Sequence, residues 1–273
     1  MSAATIDRRL RSARRRARPR GIATTKPGSL LRRQIPVQTY TPWEDQRPGF
    51  VEVDLVAHCA DSPAGEFVHT LTMTDLATGW TPVRAVPNRG QQAVFEALRY
   101  LRERLPFPLL GIDSDNGGEF INNILLRYCR QEGITFTRCR SYHKNDQAHV
   151  EQKNWNIVRQ WVGYDRYEGT EACAKLNQAY SLLELYTNAY QPTRKCVGKT
   201  RKGSRVTKRY DESSTPYRRA LALACLDPEK GAEIAAAMLS SGPLGLRGRI
   251  EHQLGQLWRL RVNQPLRTTR VLA

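Results

Sequence analysis

Three carboxylates fall where a carboxylate can do chemistry. Asp54 lies inside "FVEVDLVAHC" (50–59), amid Val51, Val53, Leu55 and Val56. An acid in so apolar a strand is costly unless something compensates its charge. Asp115 ends "LLGIDSD" (109–115) and precedes "NGGEF", where Asn116, Gly117 and Gly118 permit a tight turn. That turn exposes the carboxylate at the C-terminal edge of a strand, where open α/β sheets bind ligands. Glu151 falls in the first turns of a helix expected at 147–162, beside an apolar stripe of Val150, Ile157, Val158 and Trp161, so it can point back toward the sheet. Asp113 shares the face of Asp115 by two-residue alternation and competes with it. Two Asp and one Glu with no His suit hard Mg²⁺ or Mn²⁺ rather than Zn²⁺. Two such ions ~4 Å apart can activate an attacking oxygen and stabilise a leaving one in phosphodiester displacement. Singly, each acid also has an ordinary reading, Asp115 as a turn former and Glu151 as an exposed residue near a positive helix N-terminus.

The charge balance narrows the substrate. In 273 residues, 43 Lys and Arg face 26 Asp and Glu, a formal net charge of +17. A surplus of that size implies a polyanionic partner, because each phosphate neutralised releases condensed counterions. Nucleic acid is preferred to an anionic membrane. No apolar run approaches the ~18 residues of a spanning helix, and no signal-peptide core follows Met1. The expected location is cytoplasmic. The six Cys contain no CxxC pair, so reduced structural thiols are expected. A zinc site built from His58, Cys59, Cys129, Cys139 or His143 would match no known spacing.

The elements that must position the acids follow from pattern. Apolar, β-rich runs at 50–59, 67–75 and 81–86 predict three strands, and a helix over 89–104 carries Val94, Leu98, Leu101 and Leu105 on one face. A fourth strand (109–115), a helix (119–132) and a fifth strand in "ITFTRCR" precede the 147–162 helix. A meander followed by βα alternation predicts an α/β fold with a mixed five-stranded sheet flanked by helices. Residues 1–47, with eight arginines in the first twenty, read as a basic arm or linker, or as the end of a helix-turn-helix in a DNA-binding domain that began upstream. The remaining divisions are a core at 48–165 and a basic, mainly helical C-terminal region at 166–273. In the latter, helices are expected at 170–190, 229–240 and 246–260, and the basic stretch 194–219 shows little periodicity. Ile250, Leu254 and Leu257 form a narrow stripe that suits a small local core better than an oligomer contact.

"VEVDLV", "IDSDNGGEF" and "KNDQAHVEQKNW" resemble the three blocks of the retroviral-integrase-like core of retroviral integrases and many bacterial insertion-sequence transposases. The 35 residues between Asp115 and Glu151 match the interval of that family's D,D,35-E pattern, whereas counting from Asp113 gives 37. "VGYDRYEG" and "KTRKGSRVTKRYD" look like the downstream part of such transposases. The resemblance implies an RNase H-like fold with Asp54, Asp115 and Glu151 as catalytic, metal-binding residues holding two Mg²⁺ or Mn²⁺ ions. It implies a DDE-type transposase, a polynucleotidyl transferase that nicks transposon ends by metal-dependent hydrolysis and then joins the released 3′-hydroxyl to target DNA. Double-stranded DNA and a homo-oligomer on paired ends are the implied partners. One departure is plain: the first 50 residues contain no His and no Cys, so the N-terminal His2Cys2 zinc module of retroviral integrases has no counterpart there. Two rival readings stand beside this one. A truncated transposase remnant would bind DNA without catalysis, and a plain RNase H-like nuclease would fit the interval and basic extensions less well.

The same resemblance makes the loop of Tyr142, His143, Lys144 and Asn145 a contact near the scissile phosphate, with Lys144 the foremost. Lys153 and Arg159 are expected on the solvent side of the 147–162 helix, available to phosphates or simply solvated. Asn154, one turn from Glu151, is placed to orient it or the DNA. His58 is expected to be structural, Asp75 to form a turn, and Trp155 and Trp161 to be core. Lys199, Arg201, Lys202 and Arg205 are expected to bind DNA backbone with strong salt dependence.

Overall fold

The β-branched and apolar runs form the sheet expected of them, as a computed structural model of the chain shows for residues 5–6, 9–10, 34–37, 47–140 and 147–262. Lys144 and Asn145, with Tyr142, His143 and most of the basic arm, lie outside the described residues. Strands β1 (Phe50–Ala57), β2 (His69–Asp75) and β3 (Val83–Val86) form an antiparallel meander. Helix α1 (Gln91–Arg104) crosses back to β4 (Gly111–Ser114), and α2 (Asn123–Gln131) to β5 (Thr135–Arg138). Both crossovers yield parallel pairing, so the order is β3-β2-β1-β4-β5. This is the mixed α/β sheet of an RNase H-like fold. The β2–β3 turn is tied by Asp75, whose buried carboxylate accepts from Gly49 N at 2.8 Å and from Thr78 N and Oγ1 at 2.7 Å each.

The two faces of the sheet differ in chemistry. Val51, Val53, Leu71, Met73, Ile112 and Phe136 point to one side and pack beneath α1 and α2. Alternation turns Glu52, Asp54, Thr70, Thr72, Thr74, Asp113 and Thr137 to the other. Val51, Val53 and Leu55 are therefore on the opposite face, and Asp54 shares a largely polar one with Glu52 and Val56. A long helix, α3, covers that face. It runs through Ala148–Lys153, a π-helical stretch Asn154–Arg159, and Gln160–Val162. Beside it lies α4 (Gly169–Leu185), which continues in a second π-helical stretch, Tyr186–Tyr190. Tyr180 Oη of α4 bonds Thr70 Oγ1 at 2.7 Å. Within α3, Asn154 rather than Trp155 occupies the stripe between Val150 and Val158. Trp155 is 49% exposed, contrary to the expectation that it is core, while Trp161 packs edge-on against Tyr186.

The basic stretch departs most from expectation. It forms a hairpin of β6 (Cys196–Lys202) and β7 (Arg205–Tyr210), turning where Gly203 adopts φ +62°. Charged side chains fill both alternate positions, which hides the strand period in the sequence. Helices α5 (Pro216–Ala222), α6 (Pro228–Ser240) and α7 (Pro243–Trp258) follow. Ile250, Leu254 and Leu257 of α7 are buried with Leu176 and Leu183 of α4, so the stripe is core. Among the described residues no cysteine is joined in a disulfide, and Cys196 is exposed. Among the described residues, no helix is long and apolar enough to cross a membrane.

Candidate active site

The parallel register Val53↔Ser114 brings Asp54 and Asp115, each one residue further on, side by side where β1 and β4 end their pairing. Neighbouring strands lie ~4.8 Å apart, so the two carboxylates share one edge of the sheet. Asp115 Oδ1 accepts from Gly117 N at 2.9 Å. Asn116 steadies the same turn, donating to Cys139 O at 2.9 Å and accepting from Arg138 Nη1 at 3.1 Å. Gly117 packs closely against the end of the Glu119 side chain, since a Cβ there would stand 2.6 Å from its carboxyl carbon and the carboxylate would have to move aside. Asp113, by contrast, lies inside the strand, 3% exposed, and accepts from Thr137 Oγ1 at 2.7 Å.

Strand β1 also fixes the third acid. Glu52 is buried on the face of Asp54, and its Oε2 accepts from Val150 N at 2.9 Å in the first turn of α3. A carboxylate there satisfies an orphan N–H and complements the helix dipole. Gln147 Nε2 adds a longer bond to Val53 O at 3.4 Å. Glu151, the residue after Val150, is exposed at this end of the helix. Three residues later Asn154 Nδ2 donates to Asp54 Oδ2 at 2.6 Å, while its own Oδ1 is buried without a partner. Asn154 opens the π-helical stretch, a feature common at functional sites.

The electrostatics are those of crowded acids. Burial above all, then the charges of Asp115 and Glu151, push the Asp54 carboxyl from 3.8 up to about 7, against the bonds from the Leu55 backbone and Asn154. Burial also raises Asp115, opposed by the Gly117 N–H. Burial and the charge of Asp115 raise Glu119, whose Oε1 is buried without a hydrogen-bond partner. Among the described residues, no group of three His, Cys, Asp or Glu is gathered closely enough to hold a metal ion. The donor set of Asp54, Asp115 and Glu151 is nevertheless all oxygen, and a carboxylate that binds a proton this readily is one that a hard cation would relieve.

Other expected contacts fall elsewhere. Lys153 is not on the solvent side of α3: it is partly buried toward Gly79, and burial, then the charge of Arg219, lowers its ammonium to about 8. Arg159 also turns inward, donating to Gly163 O at 3.2 Å and Ala57 O at 3.0 Å, with its guanidinium 4.5 Å from the Tyr164 ring centre. Both turn toward the body of the protein, Lys153 to the β2–β3 turn and Arg159 to the end of β1. His58 is buried and bonds Thr70 Oγ1 at 2.8 Å, a structural role. Lys199, Arg201, Lys202 and Arg205 are exposed on the hairpin. Two residues the sequence reading passed over join the site. Glu52 was signalled by its two-residue spacing from Asp54, and Glu119 by its place directly after the paired glycines.

Residues 44–144 match the family model of the integrase core domain, a span that includes Asp54 and Asp115 and stops before Glu151. The chain is 47% identical over 219 residues to an uncharacterized protein, y4rM, of Sinorhizobium fredii; the match covers 80% of this chain and 63% of the relative's length. Among solved structures, it is similar to the catalytic core domain of BIV integrase, with 19% identity, a TM-score of 0.44, and coverage of 64% of this chain and 94% of that one. A second is the simian T-cell lymphotropic virus intasome in complex with PP2A regulatory subunit B56 gamma, with 14% identity, a TM-score of 0.43, and coverage of 63% and 55%. On its strand order and the family match to residues 44–144, the chain carries a DDE transposase/integrase-like core.

Proposed function

We propose that the protein is a DDE-type transposase, a polynucleotidyl transferase that hydrolyses phosphodiester bonds and transfers strands on double-stranded DNA, acting as a homo-oligomer on paired ends. The observation that supports this reading is the parallel register that sets Asp54 and Asp115 side by side where β1 and β4 end their pairing, on the sheet face over which α3, the helix of Glu151, lies. Asp54, Asp115 and Glu151 would hold Mg²⁺ or Mn²⁺, which supplies charge neutralisation for the attacking and leaving oxygens. The chain's own residues prepare that site. Asn154 orients the Asp54 carboxylate, the Gly117 N–H orients that of Asp115, and Glu52 sets the height and angle of α3. Such positioning matters because small displacements of reacting groups cost large factors in rate.

The test is nicking and strand transfer on a supercoiled plasmid in Mg²⁺, with wild type beside Glu151→Gln. The wild type is expected to react and the variant to lose at least ~100-fold, since the reaction is assigned to the assembled carboxylates. Activity that survives the substitution overturns the mechanism. DNA binding with no reaction in either protein would favour the noncatalytic, DNA-binding reading.

A further inference from the structure

The hairpin of β6 and β7 has the wrong electrostatics for a ribbon standing alone. Every residue from 196 to 210 except Gly198 is exposed. The segment holds six cations, Lys199, Arg201, Lys202, Arg205, Lys208 and Arg209, and no acid. Its register sets Lys199 opposite Lys208 and Lys202 opposite Arg205. Directly opposed like charges destabilise a pair of strands, and an isolated two-stranded ribbon is marginal even without them. Alternation divides the cations evenly: Lys199, Arg201 and Lys208 project from one face, and Lys202, Arg205 and Arg209 from the other.

The root of the ribbon, in contrast, is firmly clamped. Lys195 N donates to Asp211 Oδ1 at 2.6 Å and Asp211 N to Lys195 O at 2.9 Å. Arg219 bridges Asp211 Oδ2 and Thr193 O, each at 2.6 Å. Lys195 Nζ fastens the root to the β2–β3 turn, donating to Leu76 O at 2.7 Å and Ala77 O at 2.9 Å. That turn is the one approached by Lys153 of α3, whose ammonium also feels the charge of Arg219. The ribbon is thus anchored to the turn that the helix carrying Glu151 also approaches.

We infer that this ribbon lies in the major groove of duplex DNA, with phosphates on both sides of it, and that its root clamp sets the spacing between that DNA segment and the centre formed by Asp54, Asp115 and Glu151. The second half rests on the function proposed above. The B-form major groove, ~12 Å wide, admits a two-stranded ribbon, whereas the A-form RNA major groove is too narrow. A flat membrane surface would satisfy one face and leave the cations of the other unmatched. A single strand calls for a run of aromatic stacking platforms, whereas the ribbon carries one aromatic, Tyr210, at its root.

The test uses the full chain, Glu151→Gln, and a variant carrying Lys199→Gln, Arg201→Gln, Lys202→Gln and Arg205→Gln, whose thermal unfolding is measured first to verify an intact core. Binding to a duplex of ~30 base pairs is followed across a salt series, and dimethyl sulfate reports guanine N7 in the major groove and adenine N3 in the minor groove. Wild type is expected to protect N7 and to prefer duplex DNA over duplex RNA and anionic vesicles. The four substitutions should abolish that protection, weaken binding ~10-fold or more, and lower the salt slope by ~3 to 4. Unchanged slope and protection, protection of N3 instead of N7, or equal binding to RNA or vesicles overturns the inference. If N7 protection depends on the ribbon but no protein nicks DNA, the catalytic reading fails and groove binding stands. If wild type nicks and N7 protection ignores the four substitutions, the ribbon inference fails alone.

Discussion

Asp54 is held near neutrality by burial and by two acidic neighbours, and that has a consequence for stability. Its carboxyl titrates at about 7 in the folded chain against 3.8 ordinarily. Between about pH 4 and pH 7 the folded state therefore binds more protons at this site than the unfolded one, so folding stability falls as pH rises through that window. Asp54→Asn removes the effect. The variant is expected to melt several degrees above wild type at pH 8, with the difference fading toward pH 4. The full shift corresponds to ~4 kcal/mol, and partial solvent access reduces this to ~1–2 kcal/mol. Mg²⁺ at pH 8 should raise the melting temperature of wild type but not of the variant. Identical melting curves at both pH values would contradict the assignment. Asp54 and Asp115 were legible in the sequence because a strand-borne acid is conspicuous. Glu52 was less so, because a second acid at two-residue spacing reads equally well as a solvated face until a helix is seen to cap on it.

At the scale of elements, the site depends on how β1 holds α3. Glu52→Ala leaves the Val150 N–H without its acceptor in a buried setting, a loss expected to cost about 1–3 kcal/mol. Nicking should fall ~10-fold or more under conditions where the variant is still folded, because Glu151 loses its placement. Glu52→Gln, whose amide oxygen can still accept, should recover much of that loss. Equal activity in Glu52→Ala and wild type would remove Glu52 from the account. The strands and helices around the site were readable from apolar runs and 3.6-residue stripes. The inward turn of Lys153 and Arg159 was not, since their contacts to Gly79, Ala57 and Gly163 are set by where α3 docks rather than by its stripe. The hairpin escaped for another reason, its alternation being cationic on both faces.

For the molecule as a whole, the +17 charge and the sheet order tell one story at different ranges. Under the function proposed above, the charge would draw a polyanion from a distance, the ribbon clamped at its root would present cations to it, and the acids at the β1–β4 edge would take a cation that neutralises them. The central claim, that Asp54, Asp115 and Glu151 act together and Asp113 does not, is tested most directly by plasmid nicking and strand transfer in Mg²⁺ across Asp54→Asn, Asp115→Asn, Glu151→Gln and Asp113→Asn. The first three are expected to lose at least ~100-fold, and Asp113→Asn, which can still accept from Thr137, to stay within ~10-fold of wild type. Activity retained by any of the first three, or lost by Asp113→Asn while the others react, would contradict the account.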